Sequence, residues 1–282
     1  MIVLSTIQLK PLIKQRRFQT GESLTRATLS PDLGLTTVEV VLEDVGVLFP
    51  DGERLTWEDA QHISESETSC FALEDGAIRK IQEFSETTNR HCTLMPTTGA
   101  PTLLLAGFPM HRIKNIEPHH DTLNKIKAAR PSGQVLDTSM GLGYTAIEAA
   151  HAAEHVITIE LDPTVVEIAR QNPWSRELFS DPKIERRIGD SFDEVEAFEA
   201  GSFSCVIHDP PTIQLAGDLY SGDYYRELFR ILKPRGRLFH YIGDLESSSV
   251  SLVSRGVIER LYAAGFQSVK KHPEAFGVLA QK

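Results

Sequence analysis

The stretch from Gln134 to Glu160 constrains this chain more than any other. Val135-Leu136-Asp137 reads as a short apolar strand ending in a carboxylate. Gly141 and Gly143 supply a turn in which backbone can approach a ligand closely, because neither carries a Cβ. Tyr144 to Ala153 has helix composition, with Ile147, Ala150 and Ala153 on one side. Val156 to Ile159 is a second buried strand, and it too ends in an acid, Glu160. Strand, glycine turn, helix, strand, acid is the order of a βαβ nucleotide-binding unit.

The residues around this unit extend it. Asp121 to Arg130 is expected to be a helix capped by Asp121, with Leu123 and Ile126 facing inward and Pro131-Ser132-Gly133 stopping it. Pro163 opens the helix after Glu160, at a first turn where a missing N–H is harmless. Asn172-Pro173-Trp174 ends that helix. Ile184 to Ile188 is a third strand, closing at Gly189-Asp190. Phe203 to Ile207 is a fourth, running into His208-Asp209-Pro210-Pro211. A helix from Tyr224 to Leu232, a fifth strand from Leu238 to Ile242 and a helix from Val250 to Ala264 follow. Gln267 to Lys270 and Gly277 to Ala280 are two last strands with only a short loop between them, so they pair antiparallel. Strands alternating with helices argue a parallel, doubly wound α/β sheet.

A doubly wound sheet ending in an antiparallel strand resembles the class I methyltransferases that use S-adenosylmethionine. The resemblance covers about residues 120–280 and rests on particular positions. Asp137 matches the acid of the family's first motif, and Gly141 and Gly143 match two of its three alternating glycines. Ser139 stands where the first glycine is usual, and Tyr144 follows the last. Glu160 matches the acceptor of the ribose hydroxyls, and a carboxylate suits a vicinal diol. Asp190 matches the polar residue that receives the adenine amino group. The resemblance therefore implies S-adenosylmethionine as cofactor. Gly141-Leu142-Gly143-Tyr144-Thr145-Ala146 also fits the dinucleotide fingerprint, so an NAD-binding protein stays open at this point.

Asp209-Pro210-Pro211 resembles the Asp/Asn-Pro-Pro-aromatic motif of methyltransferases that modify amino nitrogens. The Asp209 carboxylate and the Pro210 carbonyl could accept both hydrogens of an amine and aim its lone pair. They would also stabilise positive charge as it develops on that nitrogen. The motif's aromatic place holds Thr212, and Tyr220 or Tyr144 could stack on a base instead, with Tyr224 and Tyr225 read as helix packing. His208 is read as a proton acceptor or as a buried strand-end histidine. Asp209, Pro210 and His208 are thus the catalytic candidates, and Pro211, Thr212 and Tyr220 the substrate candidates.

Residues 1–117 are expected to form a smaller β-rich domain for substrate recognition or dimerisation, before a methyltransferase domain at 118–282. Thr36 to Leu42 alternates, and Val45 to Leu55 reads as a hairpin around Asp51-Gly52. Thr56 is an expected N-cap for a helix from Trp57, and Ala77 to Phe84 and Thr102 to Ala106 are expected strands. His111, Arg112, His119 and His120 lack metal-ligand spacing and read as surface polar residues, so no metal is expected. Three separated cysteines fit a reducing cytosol, and no segment approaches a membrane helix.

The formal net charge is −10. Residues 1–30 carry a net of +4 and residues 31–90 a net of −10. An acidic chain is a poor non-specific nucleic-acid binder, though the basic start could be a local phosphate contact or a solvated terminus. The expected activity is direct methyl transfer to an amino nitrogen, foremost of a nucleobase in RNA. The alternative is a relative of the same fold that methylates or aminopropylates a small molecule, a polyamine or a protein.

Overall fold

The computed structural model describes residues 1–18, 25–244 and 248–282, with side chains omitted for 17, 18, 25 and 248–251. Arg17 and Glu22 of the basic start therefore lie outside the described side chains. The chain falls into two compact units, residues 1–119 with 164–176, and residues 120–163 with 177–282. Among the described residues no helix is long and apolar enough to cross a membrane.

The first unit runs β1 (Ile2–Leu4), α1 (Thr6–Phe18), β2 (Thr25–Leu29), β3 (Val38–Leu42), β4 (Gly46–Leu48), β5 (Arg54–Thr56), α2 (Trp57–Glu65), β6 (Phe71–Glu74), β7 (Ala77–Lys80), β8 (Gln82–Ser85), β9 (Arg90–Met95), β10 (Thr102–Leu105) and β11 (Phe108–Pro109). They form three antiparallel sheets, in orders β2-β3-β4-β5, β1-β6-β7 and β11-β10-β9-β8. The Asp-Gly hairpin joins β4 to β5, and Thr56 caps α2 by accepting from the Asp59 amide, as the sequence predicts. The stretch from Ala77 to Phe84 is not one strand. Ile81 is buried between β7 and β8, and its backbone bonds to Cys70 and Leu94, so the chain crosses there from one sheet to the next.

Helix α1 replaces the solvated terminus that the basic residues suggested. Ser5 and Gln8 make a capping box: the Ser5 amide donates to Gln8 Oε1 at 3.0 Å, and the Ile7 amide to Ser5 Oγ at 3.2 Å. Leu9 and Leu12 then fall on the buried side. Two of its basic groups meet their own unit: Lys10 pairs with Glu67 at 2.8 Å, and the Arg16 guanidinium lies over Trp57. Arg26, on β2, pairs with Glu39.

The second unit is built on α3 (Pro118–Ala129), β12 (Gln134–Asp137), α4 (Tyr144–Ala150), β13 (His155–Glu160), α5 (Pro163–Gln171), α6 (Arg176–Ser180), β14 (Ile184–Ile188), α7 (Ser191–Glu194), β15 (Phe203–His208), α8 (Gly222–Ile231), β16 (Leu232–Tyr241), α9 (Ser248–Ala263), β17 (Ser268–His272) and β18 (Gly277–Gln281). Most of α5 and the first residue of α6 cluster with the first unit. The seven-stranded sheet has the order β14-β13-β12-β15-β16-β18-β17. Its first five strands are parallel, and β18 runs antiparallel to both β16 and β17. This is the doubly wound, Rossmann-like sheet with an antiparallel end that the alternation of elements predicts. The central strands read Val135-Leu136, Val156-Ile157 and Val206-Ile207 because both faces are covered and buried.

Helix α3 departs from its sequence reading. It begins at Pro118, so Asp121 lies in its first turn and does not precede the helix. Leu123 is 41% exposed, and the buried face instead carries Asp121, Thr122, Lys125 and Ala128. Lys125 is buried against Asp121 and against Asp209 at the tip of β15.

Candidate active site

In an open parallel sheet, ligands bind beyond the carboxyl ends of the strands, where the order of connections reverses. That point here is the gap between β12 and β15, since β13 and β14 lie to one side and β16 to the other. Acids stand at or just beyond the ends of four adjacent strands: Asp190 after β14, Glu160 ending β13, Asp137 ending β12 and Asp209 after β15.

The glycine turn is laced to the neighbouring strands. The Thr138 amide donates to Ile207, the Met140 amide to Ile159, and the Gly143 amide back to Met140. Gly141 has φ +52 with open space around it, so its glycine is required by backbone conformation alone. Gly143 has φ +81, and a Cβ there would lie 2.5 Å from Leu178 Cδ2. The Gly141 amide donates to Glu160 Oε2 at 2.9 Å, and the Asp162 amide to Glu160 Oε1 at 3.0 Å. Ser139 is half-buried on the turn, whereas Tyr144 is buried as the first residue of α4.

Asp137 is wholly buried. Its Oδ2 accepts from Thr158 Oγ1 at 2.7 Å, while its Oδ1 is buried with no hydrogen-bond partner among the described residues. Burial pushes this carboxyl up to about 8, against the Thr158 hydroxyl, and the charges of Asp209 and Glu160 add to the rise. Glu160 is pushed up to about 7, again by burial first, against the Asp162 and Gly141 amides. The charges of Asp209 and Glu160 both bear on Asp137, so negative potential gathers at the end of β12. A nearby cation favours the ionised form of such a carboxyl, and the Ser139 amide also lowers it. Asp190 is exposed and caps α7 by accepting from the Phe192 amide at 2.8 Å. Leu161 and Ile188 stand about half exposed beside Glu160 and Asp190, an apolar surface suited to a flat ring, which the sequence reading passed over.

The residues after β15 differ in exposure and in partners. Asp209 keeps 19% of its side chain exposed, and its Oδ2 accepts from Lys125 Nζ at 2.6 Å. Burial pushes Asp209 up and the Lys125 ammonium holds it back. Lys125 is 3% exposed, and the carboxylates of Asp209 and Asp121 outweigh its desolvation and keep it charged. Pro210 is buried, Pro211 half-buried and Thr212 exposed. The sequence reading missed Lys125; the only available signal was its i, i+4 spacing from Asp121.

His208 takes the second of its two readings, the buried strand-end histidine, and Tyr220 changes role. His208 is not placed to accept a proton from substrate. Its Nδ1 lies 2.7 Å from Thr138 Oγ1 and its Nε2 2.9 Å from the Leu219 carbonyl, and burial pushes it down to about 3. With the carbonyl taking the Nε2–H, the hydroxyl must donate to Nδ1, and neither nitrogen is left over. Tyr220 is not a stacking platform but a brace, buried and donating its hydroxyl to the Pro211 carbonyl at 3.0 Å. Tyr224 and Tyr225 are fully buried helix residues, as the sequence predicts. Trp174 belongs to the first unit, where its indole donates to the Leu33 carbonyl at 3.1 Å. His111 Nδ1 lies 2.9 Å from Thr102 Oγ1, and the described residues hold no group of three or more metal-ligand side chains.

Comparison with known proteins follows this geometry. Residues 140–250 match the spermine/spermidine synthase domain. The chain is 44% identical over 237 residues to the uncharacterized protein MJ1233 of Methanocaldococcus jannaschii, covering 83% of this chain and 80% of that one. It is 28% identical over 153 residues to polyamine aminopropyltransferase 2 of Streptomyces coelicolor, covering 51% of this chain but only 28% of the relative. The crystal structure of a spermidine synthase in complex with the transition-state analogue AdoDATO superposes with a TM-score of 0.56 at 21% identity, over 71% of this chain and 72% of that one. At that identity the likeness carries the fold, which is the class I methyltransferase type.

Proposed function

This chain belongs to the family of the Methanocaldococcus jannaschii protein MJ1233, and from that premise and the strand-tip geometry we propose that it alkylates a small amine. The donor is a sulfonium nucleoside of the S-adenosylmethionine type, and the first reading of the group moved is aminopropyl. The observation that carries the proposal is the carboxylate cluster of Asp137, Glu160 and Asp209 on three adjacent strands. The match of residues 140–250 to the spermine/spermidine synthase domain supports it.

The donor supplies a carbon made electrophilic by an adjoining sulfonium. Glu160 and Asp190 would hold its ribose and adenine, and Leu161 and Ile188 would flank the ring. Asp137 Oδ1 would meet the donor's cationic end, and a cation beside it lowers the raised carboxyl and favours its ionised form. A site this rich in carboxylates favours the decarboxylated donor, whose only charges are positive, over one bearing its own carboxylate. Asp209 accepts an N–H of the incoming amine and keeps its lone pair on line. As the N–C bond forms, the C–S bond breaks with its electron pair left on sulfur, and Asp209 takes the nitrogen's proton. His208 carries no step, because both its nitrogens are engaged.

A nucleobase in RNA is the weaker acceptor. Thr212 is exposed where an aromatic residue would stack, and Tyr220 is buried with its hydroxyl on Pro211. The purified protein should be incubated with S-adenosylmethionine or its decarboxylated form, crossed with putrescine, spermidine, a monoamine and total RNA. Product masses should show one aminopropyl group gained by a small amine from the decarboxylated donor. A methyl gain on an amine would keep the acceptor and change the donor. Methyl gain on RNA alone, or no product from any amine, would overturn the proposal.

A further inference from the structure

A buried ammonium is unfavourable unless charge surrounds it. Lys125 on α3 has that surrounding on three sides: Asp209 Oδ2 at 2.6 Å, Asp121 Oδ2 at 3.0 Å and the Tyr241 ring centroid at 4.4 Å. Two carboxylates and an aromatic face are the contacts an amine-binding site uses, and here the chain's own side chain fills them. Asp121 and Lys125 are spaced i, i+4, but an ordinary helix-surface pair lies in solvent and contributes little. This pair is buried, and its third member comes from the end of β15, outside the helix. Helix support does not account for it.

The consequence falls on Asp209. One carboxylate oxygen is taken by Lys125, and Oδ1 accepts no hydrogen bond among the described residues. A carboxylate beyond a strand end can otherwise turn about two side-chain torsions and offer either oxygen. A fixed ammonium on one oxygen selects one orientation.

We propose that Lys125 is a positioning residue for the acceptor side of the site: held by Asp121 and Tyr241, it clamps Oδ2 of Asp209 so that Oδ1 alone is presented to the amine. This rests on the reading of Asp209 as the group that grips the acceptor. Asp121 completes the clamp from behind, and the net charge of the three groups stays at −1, enough to attract one amino group.

The experiment uses the full chain with Lys125→Ala and a small ammonium ion as replacement. Breaking a buried pair of this kind should lower the Tm by about 10 °C. Propylammonium chloride should restore much of that loss in a saturable way, while propanol and tetramethylammonium chloride at equal concentration should not. In Lys125→Ala/Asp209→Asn the propylammonium effect should shrink, because one wall of the cage has lost its charge. Equal recovery in both variants, or none in either, would overturn the proposal. Should Lys125→Ala fail to fold alone, it is refolded with and without propylammonium, and a yield indifferent to the amine counts against the clamp in the same way.

Turnover supplies the second readout. Lys125→Ala should lower kcat by about 10²-fold, the scale of a misplaced reacting group, with donor binding unchanged, and Lys125→Arg should recover part of it. A loss of donor binding equal to the loss of turnover would mark Lys125 as merely structural. Thermal rescue without turnover on any amine would keep the clamp and remove the alkyl-transfer reading. Turnover without thermal rescue would do the reverse.

Discussion

Replacing Asp137 by asparagine separates what its carboxylate does for a ligand from what it does to the fold. The side chain is wholly buried, and burial raises its carboxyl from 3.8 to about 8. A carboxyl raised in the folded state stabilises the fold least when ionised. The penalty is absent below the unfolded value, grows as pH rises, and levels off above the folded value. At about 1.36 kcal/mol per unit, the ceiling on that penalty is roughly 3 kcal/mol at pH 6 and roughly 6 kcal/mol at pH 9. Asparagine keeps the oxygen that accepts from Thr158 Oγ1 and cannot ionise. The Tm advantage of Asp137→Asn over the native chain should therefore widen from pH 6 to pH 9. The added 3 kcal/mol corresponds to about 6 °C or more. Differential scanning calorimetry at both pH values, without added nucleoside, measures it. Titration calorimetry with decarboxylated S-adenosylmethionine should show that the stabilised variant has lost affinity. A Tm difference that stays flat with pH, or a variant that binds as well as the native chain, would refute the reasoning.

Other substitutions divide the site's roles. Asp209→Ala should leave donor binding nearly intact and reduce turnover by about 10²-fold or more, whereas Glu160→Ala should weaken donor binding first. Within the glycine turn, Gly143→Ala should lose about 2–4 kcal/mol, from a left-handed backbone and from contact with buried Leu178. Gly141→Ala, with open space around it, should lose about 1–2 kcal/mol, and chemical denaturation distinguishes the two. Tyr220→Phe removes the hydroxyl that braces the Pro211 carbonyl and should lower stability by about 1 kcal/mol while slowing turnover. His208→Gln should leave the shape of the pH–rate profile unchanged, because the native imidazole stays neutral throughout.

The second unit was legible because its physics is written locally. Buried parallel strands demand continuous apolar runs, and each run here ends in an acid or in a turn residue, so strand ends and ligand edge could be read together. Helix α1 was harder, since four basic residues and Pro11 obscured it; the capping pair Ser5 and Gln8 was the available cue. The inner face of α3 could not be read from pattern. A helix whose buried residues are Asp121, Thr122 and Lys125 has its apolar Leu123 in solvent, which inverts the usual periodicity. That inversion occurs because Lys125 is solvated by Asp209, a partner 84 residues away that no window of sequence contains. His208 stayed ambiguous for the opposite reason: it adjoins a reactive-looking motif, while its side chain packs among Thr138, Tyr220 and Tyr224.

A crystal structure with 5′-methylthioadenosine, the nucleoside left after aminopropyl transfer, and a saturating small amine is the most direct measurement. It should place the ribose hydroxyls within hydrogen-bond distance of Glu160 and the amine nitrogen on Oδ1 of Asp209, with Lys125 still on Oδ2. A nucleoside lodged away from the ends of β12 and β13, or an amine that never meets Asp209, would contradict the account.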